Sequence, residues 1–206
     1  MPIPINLALE DALTESLTIR ILETLKGRYA PKTIYNRGGY GYLRSRVSGF
    51  NNAARGIPFL VATDLDRYEC PPALIADWLQ RPRHHNLLIR VAVREAEAWI
   101  LADNANLADF LGIDVVRVPT NVEAVPDPKR TLVQLARGSR RKEVRDDICP
   151  PANSTRIVGP NYNPRLSVFV SGRWDPNKAR RHAPSLDRAI RCLEAFEPDW
   201  GAAFER

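Results

Sequence analysis

The segment Ile57-Pro-Phe-Leu-Val-Ala-Thr63 constrains the fold more than any other stretch of this chain. It is a continuous apolar and β-branched run, bounded by Gly56 before it and by Asp64-Leu-Asp66 after it. A strand with one wet face alternates apolar and polar side chains, whereas a strand buried on both faces does not. Ile57 to Thr63 is therefore expected inside a parallel sheet covered by helices on both sides. Ile3 to Leu9 and Asn86 to Val93 predict further strands of the same kind, and Lys32 to Asn36 a shorter one.

Helical spacing fills the intervals. Leu13, Leu17, Ile21, Leu22 and Leu25 recur along one face, with Gly27 at the expected stop. The glycine-rich 37–41 segment precedes a helix through Leu43, Val47 and Phe50, and Cys70-Pro-Pro72 opens one through Leu74, Ile75 and Trp78. Arg94 to Asp103 turns helical after the last strand, with Trp99, Ile100 and Leu101 as its core and Asp103 as a solvated or turn-forming acid. This alternation predicts an α/β fold with a mainly parallel, Rossmann-like central sheet flanked by helices. Residues 1–125 are expected to form that domain. Val115 to Pro128, with three prolines, reads as a connection. Residues 126–206 are expected as a basic, helical and loop-rich C-terminal extension packed on it, with helices near Lys129–Ser139 and Leu186–Phe196.

Charge divides along the same line. Residues 1–125 hold 14 Lys+Arg and 14 Asp+Glu, and residues 126–206 hold 16 and 10, so the whole net charge of +6 lies in the last part. A basic segment beside a balanced one suits an anionic partner, of which nucleic acid is the commonest. Arg137, Arg140, Arg141, Lys142 and Arg145 cluster at an expected helix end, and with Lys129 and Arg130 they are the candidate phosphate contacts. The competing reading is a solvated helix end that complements the macrodipole. Tyr162 and Trp174 are candidates for base stacking or for core packing. Cys70, Cys149 and Cys192 lack zinc-clip spacing and are expected as free thiols. No apolar run approaches a bilayer span and Met-Pro-Ile-Pro-Ile has no signal-peptide pattern, so the expected compartment is the cytoplasm and no membrane partner is expected.

Three acidic groups follow three predicted strands: Glu10, Asp64 with Asp66, and Glu95 with Glu97. Ligands of open α/β sheets sit outside the carboxyl ends of the strands, so these acids are expected to converge on one edge. Asp64 and Asp66, two residues apart, share a face if the backbone stays extended; the competing reading of such a pair is a turn or a helix cap. Gathered carboxylates repel one another unless a cation neutralises them, and oxygen ligands select Mg2+ or Mn2+. His84 and His85 sit in an expected exposed turn. If a helix begins before Arg94, only one of Glu95 and Glu97 reaches such an ion; if the strand persists to Glu95, both do.

The combination of Leu7-Ala-Leu-Glu10, a strand ending in Asp64-x-Asp66, and Arg94-Glu-Ala-Glu97 resembles the Toprim domain of topoisomerases, primases and OLD-type nucleases. The chain is most similar to small stand-alone bacterial Toprim-like proteins related to the OLD family. Val93-Arg-Glu-Ala-Glu-Ala-Trp-Ile-Leu-Ala-Asp103, Asp127-Pro-Lys-Arg-Thr131 and Gly159-Pro-Asn-Tyr-Asn163 carry that likeness over nearly the whole chain. The resemblance implies that Glu10 binds metal or acts as general acid/base, that Asp64 and Asp66 hold metal, and that Glu95 and Glu97 complete a two-metal site. Asp11 stands where the family has glycine, and Thr14 where an acid is frequent, with Glu15 one place later. The implied activity is metal-dependent phosphodiester hydrolysis on DNA or RNA, as in a phage-defence effector. The alternatives are a regulatory or nucleic-acid-binding subunit partnered with an ABC- or AAA-type ATPase encoded nearby, and a nucleotidyl transferase. The chain carries no phosphate-binding Gly-x-x-x-x-Gly-Lys-Ser/Thr loop of its own.

Overall fold

The computed structural model describes residues 1–36 and 38–201; Arg37, in the glycine-rich segment, lies outside them. Four strands form one all-parallel sheet in the order β2 (Tyr29–Tyr35), β1 (Ile3–Leu9), β3 (Phe59–Asp64), β4 (Leu87–Ala92). The α/β architecture expected from the alternation of strands and helices is present. The two central strands are buried without alternation, from Ile5 to Leu9 in β1 and from Phe59 to Thr63 in β3.

From β1 the chain adds β2 on one side and then places β3 on the other, so the winding reverses between β1 and β3. Three helices make the crossovers: α1 (Ala12–Thr24), α2 (Gly39–Ala53) and α3 (Pro71–Trp78). With this strand order the right-handed rule for parallel crossovers assigns α1 to one face of the sheet and α2 and α3 to the other, and α2 packs on α3. The edge strand β2 is largely exposed and contains Pro31, which has no N–H to give to a ladder. The β1–β2 register slips between Ile5 and Leu7, and there the Asn6 side-chain oxygen accepts from the Thr33 N–H at 3.1 Å.

The chain divides into two compact units, residues 1–92 with 189–206, and residues 93–188. This differs from a division at 125/126, and specific hydrogen bonds explain both boundaries. The end of the chain belongs with the sheet because the Tyr29 hydroxyl donates to the Leu193 carbonyl at 2.6 Å and Arg28 donates to the Phe196 carbonyl at 2.5 Å. In the second unit α4 (Ala96–Ala102) is bound to later segments by two tryptophans. Trp174 Nε1 donates to the Trp99 carbonyl at 3.0 Å, and Trp99 Nε1 donates to Ser185 Oγ at 2.8 Å. Around them stand α5 (Asn104–Leu111), α6 (Pro128–Arg137), α7 (Lys142–Ile148), α8 (Tyr162–Gly172) and α9 (Pro176–Ala179). The proline-rich connection holds two short 3-10 turns, Val115–Arg117 and Val122–Ala124. Pro184–Ala195 forms α10. No helix among the described residues is long and apolar enough to cross a membrane.

Asn86 opens β4 and is fully buried. Its amide donates to the Ala54 carbonyl at 3.1 Å and to the Asp199 carbonyl at 2.6 Å, and its oxygen accepts from the Asp199 N–H at 2.8 Å. Asn86→Ala leaves these backbone groups without partners, which costs about 2–3 kcal/mol. The expected result is a lower urea midpoint with an unchanged denaturant slope, together with faster proteolysis at the C-terminal segment.

Candidate functional site

The β1–β3 register builds the centre of the site. Leu9 pairs with Ala62, so the next residues outward, Glu10 and Thr63, stand side by side at the carboxyl ends of adjacent strands. Glu10 Oε2 accepts from Thr63 Oγ1 at 2.7 Å and from the Asp64 N–H at 3.1 Å. Both strands are needed for this: one supplies the acid and the other its two donors. This pair of strand ends is also where the winding of the sheet reverses, the place at which open α/β sheets bind ligands.

Asp66 does not reach the site by strand alternation. The strand ends at Asp64, Leu65 is buried and donates its N–H to the Ala92 carbonyl at 2.9 Å, and Asp66 takes a left-handed turn with φ of 50°. Aspartate tolerates this region better than most residues. The turn leaves Asp66 exposed, close enough for its charge to act on Glu10. A cavity of 410 Å³ opens beside it, lined by Tyr40, Asp66, Arg67 and Tyr68. The two tyrosine hydroxyls are 3.0 Å apart, Tyr68 donates to Asp77 at 2.5 Å, and Trp78 Nε1 donates to Tyr40 at 3.4 Å. Tyr40, Thr63, Arg67 and Tyr68 had no signal of their own in the sequence beyond the nearness of three of them to Asp64 and Asp66.

Burial raises the Glu10 carboxyl above its ordinary value; the bonds from Thr63 and Asp64 oppose this, and the charges of Asp66 and Asp11 add to it. Among the described residues no three His, Cys, Asp or Glu side chains are grouped for a metal ion. Magnesium that keeps most of its water needs only one or two carboxylates. Glu10 and Asp66, whose charges oppose each other, supply that number, so the donor set fits a hydrated hard cation and not a closed protein cage. Asp11 is engaged elsewhere, capping α1 through a bond from the Thr14 N–H at 2.8 Å, and Glu15 accepts from the Asn36 amide.

Glu95 and Glu97 belong to the second unit. The helix begins at Ala96, with Glu95 in extended backbone as its N-cap. Both carboxylates meet one residue: Glu95 Oε2 accepts the Lys129 N–H at 3.0 Å, and Glu97 Oε1 lies 3.5 Å from Lys129 Nζ. Tyr162 donates its hydroxyl to Glu97 at 3.0 Å. The Asp127–Thr131 and Gly159–Asn163 segments thus come together around Glu97, which is only 2% exposed. Burial drives its carboxyl above the ordinary range, Lys129 opposes that, and Glu95 adds to it. Gly159 is required at this bend, since a Cβ there would collide with the Asp147 carbonyl oxygen.

The basic candidates separate by what they touch. Lys129 is engaged with the two glutamates. Arg141 donates to the Phe110 carbonyl at 3.0 Å and covers Gly112, and the Arg140 N–H donates to the Gly112 carbonyl. Arg130, Arg137, Arg140, Arg141 and Lys142 are all exposed. Trp174 is 0% exposed and Tyr162 is buried, so both are packing residues and neither can stack on a base. Asp103 is buried as well, accepting from Asn106 Nδ2 and from the Asp175 N–H, each at 2.8 Å. His84 Nδ1 accepts from the Asn86 N–H at 3.2 Å, and His85 Nε2 pairs with the Glu197 carbonyl at 2.7 Å.

A carboxyl whose folded-state value is raised contributes stability below its unfolded value and loses it as pH climbs to the folded one. Ionised Glu10 is therefore a cost to the fold at neutral pH. Glu10→Gln is expected to raise the melting temperature at pH 7, with the gain vanishing toward about pH 4, where the acid is protonated in both states. A melting difference that is independent of pH contradicts this. No protein-family model matches the chain, and no curated protein or solved structure matches it.

Proposed function

We propose that this chain is a Mg2+- or Mn2+-dependent phosphodiesterase acting on nucleic acid. The observation that carries the reading is the Glu10 carboxylate at the point where the sheet reverses, held by Thr63 and the Asp64 N–H and opposed by the charge of Asp66. Charge opposition of this kind is relieved by a cation or by a proton. A bound divalent ion supplies an acidified water and offsets charge on the phosphate.

The residues of the chain supply the rest. Thr63 and the Asp64 N–H both donate to Glu10 Oε2 and so restrain the carboxylate at the strand ends. Asp66, exposed on its turn, is open to an ion and its water. Arg67 lines the cavity beside Asp66, and its guanidinium is the group of that lining whose geometry suits a non-bridging phosphate oxygen. Glu10 is also suited to proton transfer, since a raised carboxyl lies closer to the working pH than an ordinary one. The reading extends to Glu95 and Glu97 as further metal-binding acids, and separate variants of the two test that extension.

Asp64→Asn combined with Asp66→Asn is expected to remove about 3 kcal/mol or more of transition-state stabilisation, a fall of about 100-fold or more in rate. The measurement is cleavage of plasmid, linear DNA and tRNA with Mg2+ or Mn2+, comparing wild type and the double variant prepared in parallel. Cutting that persists undiminished in the double variant overturns the proposal. Primer synthesis from nucleotides in the same reactions assigns transfer in place of hydrolysis. Wild-type protein is further expected to melt at higher temperature in added Mn2+, and Glu10→Gln with Asp66→Asn to lose that shift.

A further inference from the structure

Two open concavities in the second unit, of 770 and 370 Å³, adjoin along Arg137, Pro150 and Arg156, which line both, and are taken together as a groove. Arg130 and Arg137 come from α6, Arg145 from α7, and Arg156 from the loop that follows. The combined lining thus holds four arginines and one carboxylate, Asp146. None of the salt bridges among the described residues includes Arg137, Arg145 or Arg156. Arg130 has a loose contact with Asp127 at 3.7 Å and is 66% exposed, a pair of little energetic weight.

The groove is built, not merely basic. Arg145 is anchored by Nη1, which donates to the Ser139 carbonyl at 2.5 Å, leaving the rest of its fork for another partner. Arg137 is held beside the Cys149 thiol, where its charge opposes the upward effect of burial on that group. Complementing the macrodipole accounts for Arg137 in the last turn of α6, but not for Arg130 in the first turn, where a cation is unfavourable. Arg130 and Arg137 are seven residues apart on the same helix, so they share a face and are separated by about 10 Å along its axis. That distance matches the rise of about three nucleotides of one strand.

We propose that this groove binds the sugar-phosphate backbone of nucleic acid without regard to sequence. Neither concavity is lined by an aromatic side chain, so its chemistry reads phosphates and offers no stacking platform for bases. The choice of nucleic acid over another polyanion rests on the phosphodiesterase reading. Arg145 and Arg156 enter as phosphate contacts on geometry. Lys129, Arg140 and Arg141 do not line either concavity.

Binding of a fluorescein-labelled oligonucleotide of mixed sequence is measured by polarisation in a chelator, between about 50 and about 200 mM salt. Arg137→Ala with Arg156→Ala is expected to weaken binding about 10-fold or more at the low-salt end and to reduce the slope of log affinity against log salt by about 1.4–1.8. Circular dichroism and melting temperature establish that the variant is folded, both side chains being exposed. Unchanged affinity and slope in the folded variant overturn the proposal. Competition by an acidic peptide as strong as that by unlabelled oligonucleotide also overturns it, assigning the groove to a protein partner. If Asp64→Asn with Asp66→Asn abolishes cutting while the arginine variant binds like wild type, the groove fails and the phosphodiesterase stands. If binding depends on the arginines while no metal supports cutting, the groove stands and the phosphodiesterase fails.

Discussion

The parallel pairing of β1 with β3 is the constraint from which the candidate site follows. Leu9 against Ala62 fixes Glu10 beside Thr63, and a slip of one residue would turn the side chains of the slipped strand to the opposite face. Such a slip is opposed by everything buried along the pair, since Leu7, Val61 and their neighbours are inaccessible on both faces. The core therefore holds in place not only the sheet but the two bonds that restrain the Glu10 carboxylate. Because β2 is added before β3, the same pairing also leaves the strand ends of β1 and β3 uncovered by a connection between them.

The second unit solves a different problem with similar groups. A carboxylate as buried as Glu97 is costly unless it is paired or neutral. Lys129 gives it a counter-charge and Tyr162 a hydroxyl, while Glu95 takes the Lys129 N–H in the first turn of α6. One lysine thus joins two acids by two different groups, its ammonium and its backbone N–H. The bend at Gly159, which donates its N–H to the Ile148 carbonyl at 2.8 Å, brings Tyr162 into reach. Three stretches distant in sequence are consequently interdependent here.

Legibility in the sequence followed the range of the physics involved. Burial on both faces leaves a local mark, so β1, β3 and β4 could be read from their apolar runs, as could the helical stripe of Leu13, Leu17 and Ile21. The left-handed turn at Asp66 leaves none, because aspartate is tolerated there without being required. Extended spacing suggested two coplanar acids, whereas the chain folds back within two residues of the strand end. The division into units was equally hidden: composition changes near residue 126, but the deciding bonds join Tyr29 to Leu193 and Trp99 to Ser185. Asp103 and Trp174 were ambiguous for the same reason. A polar side chain is read as exposed until its buried partner is known, and Asp103 finds its partner in the N–H of Asp175.

Charge shows where local reading and folding diverge most usefully. The last 81 residues carry the excess of basic side chains, and in sequence the densest run is Arg140-Arg-Lys142. In the fold, Arg141 and Arg145 each give one guanidinium nitrogen to a backbone carbonyl, that of Phe110 and that of Ser139, and of the two only Arg145 lines the concave surface. The cations that gather around one concave surface are instead spread over 27 positions, from Arg130 to Arg156. Density along the chain is therefore a poor guide to an anion site, since Arg140 and Arg141 lie in the connection before α7 and line neither concavity. What concentrates potential is the convergence of separate elements on a shared concavity, with few carboxylates present to cancel it.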